Sequence, residues 1–543
     1  MQNLIDSGSK IFSKNTIICL GIIALAGFLI RLFYFPDGIP LILDGATYFW
    51  YANDLSASGT FPANVNMPNN GWPTFLSVFF YFFNSENFLD YMTLQRYVTI
   101  IISVATIIPV FILCRKFCGN ELSLLAASLF VFQPRIIENS LLGITEPLFI
   151  LLELTCLVLF LQNNFKFKYL SFGFLALACL VRYEAVFLII PLSIFFLLKC
   201  RSDKKNILRY FIAISIFLLV LLPMVSVRMD TMGYDGIVSH SIAAGITFGE
   251  TDPPIYATDS VSEFTVPHGV ISFIKSAALA AFPIFFIFLP LGFFGFFRNR
   301  NFDKHVILLF MIFMSLPIIY AASRDIGDPR YFLTLFPILS VISVYTVKEI
   351  TRKFNKTKLI SVLFIIAILI PSITYLDYNK IDYEHEREAY EIALEVNRIT
   401  SIINVYEPES LYFHNQIAAA SNSQTFPVLS SLIEPKMIFV GGTSGDTWPV
   451  KIPAKYKHDI DACPSDICPK INSLTDFLIY ERDNGLEHLA VDNSQERPQF
   501  IKNVFLHEEE YLFLNKIYDS KEHGYDYHLK IFKIDYEKFD SVK

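Results

Sequence analysis

Carboxylates and arginines recur beside the apolar runs of this chain, where ionised groups are costly. Asp44 sits in a polar stretch that also holds Tyr48, Asp54 and Trp72. Glu138 lies in Gln-Pro-Arg-Ile-Ile-Glu-Asn (133–139) and Glu146 in Ile-Thr-Glu-Pro (144–147). Arg182-Tyr183-Glu184 is wedged between two apolar runs, and Arg330-Tyr331 closes the polar stretch 323–331. A positioned carboxylate can take a proton from a hydroxyl. A guanidinium holds anionic oxygens through charge-assisted, often bidentate hydrogen bonds. Ionisable groups at a membrane boundary mark a functional cavity by default, so this set fits a site for an anionic, polar substrate. Each residue also has a structural reading. Asp44 can cap a helix, Glu146 can cap or pair with Arg135, and Arg182 and Arg330 can snorkel at helix ends. Tyr48, Asp54 and Trp72 can serve as packing or interfacial groups.

The elements that must position these residues are membrane helices. Of 543 residues, 53% are hydrophobic and 17% charged, against about a quarter charged in soluble chains. Mean hydropathy is +0.45. Runs long enough for a crossing of about 20 residues predict about eleven spans. They fall at Thr16–Phe33 and near 91–113, 120–134, 141–162, 169–182, 184–198, 207–225, 270–297, 305–321, 331–347 and 358–376. Arg31, Phe33, Tyr34 and Phe35 read as an interfacial anchor after an uncleaved first helix. Lysines and arginines cluster in alternate loops: Arg115 and Lys116, Lys166 and Lys168, Lys199 to Lys205, Arg298 to Lys304, and Lys348 to Lys358. The positive-inside rule makes that face, and the N-terminus with it, cytoplasmic. An odd number of spans then puts the C-terminal segment outside the cytoplasm. Two histidines in one outer loop, His240 and His268, do not have a metal-ligand spacing.

Several motifs occur in a recognisable order. Asp44-Gly45-x-x-Tyr48-x-x-x-Ala52, ending in Gly59-Thr60-Phe61-Pro62, resembles the first external loop of the GT-C glycosyltransferases. Gly71-Trp72-Pro73-Thr74-Phe75 and Arg96 resemble the segment before and at the start of that family's second helix. Thr145-Glu146-Pro147-Leu148, Arg182, and Arg330-Tyr331 with Pro337 are similar to its later elements. The closer match is to the protein-mannosyltransferase and aminoarabinose-transferase-like branch, and the resemblance covers about residues 15–350. The resemblance implies transfer of a sugar from a polyprenyl (dolichyl) phosphate to an extracytoplasmic protein, lipid or glycan by an inverting displacement. On that reading Asp44 is the base, and Glu146 and Glu138 assist the acceptor or hold a divalent ion. Arg330 and Arg182 hold the donor phosphate, while Tyr48, Trp72 and Tyr331 line the substrates. The chain departs from the family in placing Gly45 where many mannosyltransferases have an acid. It has no Trp-Trp-Asp-Tyr-Gly signature, so the likeness does not extend to the oligosaccharyltransferase catalytic subunit. No Asp-x-Asp pair lies in the membrane loops, which counts against a tightly bound metal and leaves the metal unknown. Other readings stay open: a lipid-linked polysaccharide ligase or polymerase, a secondary transporter, or a non-catalytic membrane subunit. No feature points to nucleic acid as a partner.

The predicted architecture is a GT-C-like transmembrane domain over 1–376 followed by a soluble α/β extracytoplasmic domain over 377–543. Residues 377–543 hold 29 acidic and 17 basic side chains, leaving the rest of the chain mildly basic. Expected elements there are a helix near 383–404, strands at Ser410–His414 and Lys436–Val440, a helix at Ser473–Asp483, and strands at Leu486–Asp492 and Tyr525–Asp535. Gly441-Gly442-Thr443-Ser444-Gly445 reads as a turn, since no P-loop lysine accompanies it. Cys463 and Cys468, beside prolines in an oxidising compartment, read as a local disulfide or, less well, a metal site lacking a second ligand pair. Alkylation with and without reductant should therefore give a two-thiol mass difference at these cysteines. Two free thiols without reductant would remove the disulfide.

Overall fold

The computed structural model describes residues 13–41, 43–62, 67–85, 87–199, 205–239, 266–299, 301–323, 328–354, 356–384, 387–388, 391–392, 437–439, 473–482, 488–493 and 499–542. The expected strand at Ser410–His414, the glycine-rich turn, Cys463, Cys468, and most of the helix expected near 383–404 lie outside the described residues.

The helices in chain order are α1 (Lys14–Phe33), α2 (Leu43–Ser58), α3 (Gly71–Phe82), α4 (Phe88–Ala105), α5 (Ile107–Arg115), α6 (Asn120–Val131), α7 (Pro134–Ser140), α8 (Glu146–Phe160), α9 (Phe165–Val181), α10 (Ile189–Lys199) and α11 (Lys205–Met232). They continue as α12 (Val266–Ala281), α13 (Ile284–Phe297), α14 (Phe302–Ser323), α15 (Phe336–Phe354) and α16 (Thr357–Tyr378). Six described segments are long and apolar enough to cross a membrane: Lys14–Phe33, Leu89–Arg115, Ile207–Met232, Phe302–Ala322, Pro329–Arg352 and Thr357–Tyr378. Four shorter apolar helices accompany them: Asn120–Val131, Tyr183–Leu198, Val270–Ala281 and Phe288–Phe297. Among the described residues these support a polytopic helical region of six such helices and four shorter candidates, coarser than the expected count of about eleven. The run at 270–297 is two helices, since Pro283 stands at the start of α13 and lacks the N–H a continuous helix needs.

The chain divides into two compact units. One comprises Met1–Phe35, Ser58–Phe82 and Thr93–Lys380; the other comprises Pro36–Ala57, Phe83–Met92 and Ile381–Lys543. In the first unit α8 packs on α9, α9 on α11, and α13 on α15. Glycine permits two of the closest approaches. A Cβ at Gly71 would stand 2.5 Å from the Leu180 carbonyl carbon and oxygen, and one at Gly292 2.5 Å from the Ile342 carbonyl oxygen.

Arg31 corrects the interfacial reading. Its side chain is fully buried, and it donates to the carbonyls of Gly27 and Val131 at 2.8 and 3.1 Å and to the hydroxyls of Ser140 and Ser103 at 2.9 and 3.1 Å. A guanidinium so supplied with acceptors has no need to reach water. It joins α1 to α4, α6 and α7.

In the second unit, strands β1 (Met437–Phe439), β2 (His488–Asp492), β3 (Leu514–Asp519) and β4 (Leu529–Ile534) form a sheet of order β1-β2-β4-β3. β1 pairs parallel with β2, and β4 pairs antiparallel with both β2 and β3. Helices α17 (Leu474–Arg482), α18 (Gln499–Leu506) and α19 (Tyr536–Val542) supply Phe477, Leu478, Ile501, Val504 and Phe539 to a core with Leu489, Val491 and Phe532. The strands at β1, β2 and β4 and the helix α17 fall where the sequence predicts them. β3 was not foreseen, because its burial pattern does not alternate.

Adding a methyl group at Gly71 forces the start of α3 away from backbone that has no flexible end to yield. Gly71→Ala should destabilise the membrane unit by about 1–3 kcal/mol, read as an earlier thermal transition in detergent. An unchanged transition would mean that α3 and α9 separate freely.

Candidate active site

The loop before α8 is built by hydrogen bonds that capture its carbonyls one after another. Thr99 Oγ1 donates to the Ser140 carbonyl at 2.8 Å, and Arg96 Nε to that of Leu141 at 3.0 Å. The Gly143 carbonyl accepts from Gln95 Nε2 at 2.6 Å and from the Trp72 indole at 3.2 Å. Gly143 itself has φ +70°, a conformation that favours glycine. The chain then turns into α8, with Glu146 in its first turn. A carboxylate there gains from the partial positive charge of the helix start.

Arg182 reaches this carboxylate from the other side. α9 ends at Val181, and Arg182 adopts an extended conformation with φ −145°, which turns its side chain out of the helical path. Its Nη1 atom donates to Glu146 Oε1 at 2.6 Å and its Nη2 atom to Glu184 Oε1 at 2.8 Å. Glu146 is 1% exposed and Arg182 9%, so the pair is held largely away from water. Thr145 Oγ1 stands 3.3 Å from Glu146 Oε2. Glu146 therefore pairs with Arg182, not with Arg135, whose Nη2 atom reaches the Leu279 carbonyl.

Two guanidinium groups lie near the Tyr331 ring. Arg182 Cζ is 5.4 Å from its centroid and Arg330 Cζ 5.8 Å, within cation–π range. Arg330 is half-buried, and its Nε atom lies 2.7 Å from Asp328 Oδ2. Asp328 also caps the 3-10 turn Pro329–Leu335, accepting from the Arg330 amide at 2.8 Å. Glu146, Arg182, Tyr331 and Arg330 thus come together in one unit.

The remaining expected residues are placed differently. Asp44 is exposed in the first turn of α2, with half-buried Tyr48 one turn on, both in the other unit. Trp72 is fully buried, and its indole donates to the Gly143 carbonyl in the loop before α8. Glu138 is half-buried on α7. Burial pushes its carboxyl up to about 7, against the lowering effect of the Arg135 charge. Among the described residues no three His, Cys, Asp or Glu side chains gather as a metal-binding set.

Sequence reasoning missed several members. Gln95 and Thr99 carry the loop with Arg96, and a Gln-Arg pair at the head of an apolar run was the available signal. Arg228 is fully buried and donates to Asn70 Oδ1 at 3.0 Å and the Leu180 carbonyl at 3.1 Å. It fixes the start of α3 against the end of α9. Glu153 is buried on α8, and its Oε2 atom makes no hydrogen bond among the described residues. A carboxylate in the middle of an apolar run marked it.

A family model described as dolichyl-phosphate-mannose-protein mannosyltransferase matches residues 76–226. The chain shares the fold of the Archaeoglobus fulgidus oligosaccharyltransferase in its apo form, with a TM-score of 0.53 at 12% identity, covering 88% of this chain and 69% of that one. The same archaeal enzyme in complex with an inhibitory peptide and a dolichol-phosphate gives a TM-score of 0.51 at 12% identity over the same shares. ArnT from Cupriavidus metallidurans, bound to undecaprenyl phosphate, gives 0.48 at 10% identity, covering 96% of this chain and 98% of that one. No curated protein matches the chain. The chain thus shares its fold with the archaeal oligosaccharyltransferase, and its residues 76–226 match the mannosyltransferase family model.

Removing one member of the buried pair strands the other. Glu146→Leu should cost about 3–5 kcal/mol, lessened by the second partner Glu184, while Glu146→Leu with Arg182→Met should recover part of the loss. Thermal unfolding of both variants checks this. A double variant less stable than the single one would contradict it.

Proposed function

We propose that this protein is an integral-membrane glycosyltransferase that moves a sugar from a polyprenyl phosphate to an extracytoplasmic acceptor. The observation that carries the reading is the cluster of Glu146, Arg182, Tyr331 and Arg330, set in a GT-C fold whose residues 76–226 match a mannosyltransferase family. The archaeal enzyme of the same fold is solved with a dolichol-phosphate, which supports a lipid phosphate as the leaving group.

The displacement inverts the anomeric carbon. Asp44 takes the proton of the acceptor hydroxyl as its oxygen bonds to that carbon. The bond from the anomeric carbon to the phosphate oxygen breaks, and its electron pair leaves with the phosphate. Arg330 meets the phosphate with its partly exposed guanidinium, exchanging Asp328 for a phosphate oxygen. Arg182 assists by releasing Glu184 while Glu146 keeps it in position. Glu138 and Glu146 orient the acceptor, and Tyr48 and Tyr331 line the substrates. A divalent ion, if the reaction uses one, would draw on Glu138 and Glu146. On the positive-inside rule the basic loops are cytoplasmic with the N-terminus, so transfer occurs on the opposite, extracytoplasmic side. Its acceptor is a protein, lipid or glycan.

Asp44→Asn should abolish transfer from a polyprenyl-phosphate sugar in membranes while protein levels stay unchanged. Turnover equal to wild type in that variant would remove Asp44 as the base. A panel of labelled polyprenyl-phosphate sugars offered to the purified protein identifies the donor, and no transfer from any of them would overturn the reading.

A further inference from the structure

A second charged region lies away from the acid and arginine cluster, where the basic loops meet. Lys116 Nζ is 3.1 Å from Asp303 Oδ2 and donates to the Leu161 carbonyl at 2.8 Å. Lys348 Nζ lies 3.4 Å from the Phe117 carbonyl. Between these loops is a cavity of about 840 Å³. Its lining includes the cations Arg298, Lys304, Lys348, Arg352 and Lys358, and only two carboxylates, Glu121 and Glu349. Glu349 is already beside Arg352, 3.7 Å away.

Two of the cations share one ring. Lys304 Nζ is 5.3 Å from the Tyr345 centroid and Lys348 Nζ 4.6 Å. Lys304 is buried, with its ammonium held by the carbonyls of Phe296 and Asn299. Among the described residues neither lysine makes an ion pair with a carboxylate. Like charges gathered in a half-enclosed space favour an anion between them.

The cavity adjoins an apolar groove of about 460 Å³, with Gly295, Arg298 and Glu349 lining both. Leu291, Phe294, Ile350 and Phe354, from α13 and α15, line the groove. Leu291, Phe294 and Phe354 are 68%, 72% and 64% exposed, an apolar face that an acyl chain can cover. A free anion would use the cavity and leave the groove empty. An amphiphile with a negative head fills both, and basic pockets between membrane helices on the cytoplasmic side suit acidic lipid heads.

We propose that this end of the bundle binds an acidic phospholipid, its phosphate among Arg298, Lys304 and Lys348 and an acyl chain along the groove between α13 and α15. The site is distinct from the cluster around Glu146, and occupancy is read without any turnover. The purified full chain, delipidated in detergent, is titrated with phosphatidylglycerol, phosphatidylcholine or inorganic phosphate and followed by native mass spectrometry. Phosphatidylglycerol should bind at least about tenfold more tightly than phosphatidylcholine. Arg298→Gln with Lys348→Gln should remove that preference, and Lys166→Gln, at an exposed position elsewhere, should keep it. Should the double variant lose its helical circular dichroism, Lys348→Gln alone makes the same comparison. Equal binding of the two lipids, an undiminished preference in the charge-reduced variant, or displacement of the lipid by equimolar inorganic phosphate would overturn the proposal.

Discussion

Arg182 and Glu146 face each other inside an apolar helix bundle, and much of the surrounding structure serves to keep them there. A buried ion pair recovers the cost of leaving water only when its geometry is good and its remaining hydrogen-bonding atoms are supplied. The supply comes from Glu184 and Thr145. The geometry comes from a loop whose carbonyls are taken in turn by Thr99, Arg96, Gln95 and Trp72. Arg228 then fixes the end of α9, from which Arg182 departs. Charge, loop and helix ends form one connected arrangement.

The same economy separates the two ends of the membrane unit. α8 runs from Glu146 to Phe160, a rise of roughly 22 Å. At its far end Lys116 and Lys168 are held by the carbonyls of Leu161 and Phe160. Near one end, Arg182 and Arg330 have carboxylates within 3 Å; near the other, Lys116 pairs with Asp303 while Lys168, Lys304 and Lys348 rest on carbonyls and aromatic rings. The first end holds its positive charge in ion pairs. The second leaves positive charge in excess, which is what an acidic membrane surface attracts.

The unit that contains the C-terminal segment is stabilised by a different principle. Its sheet and three helices bury a hydrocarbon core of their own, while charged pairs such as Lys516 with Glu508 and Arg482 with Asp540 stay near the surface. Exposed pairs of this kind contribute little, so the core sets its stability.

Composition and the blocks of apolar residues were enough to determine that the chain is a polytopic membrane protein, because a lipid-spanning helix needs a continuous run. The motifs around Asp44, Glu146, Arg182 and Arg330 were also legible, since charges beside such runs stand out. The number of spans was not, because apolar length alone does not distinguish a crossing helix from two helices that meet at Pro283. Nor did spacing reveal that Arg31 is buried, that Trp72 supports a loop, or that Glu146 pairs with Arg182 36 residues away. Those facts depend on which carbonyls and side chains arrive from distant helices. Sequence named the charges, and only tertiary packing decided what each one meets.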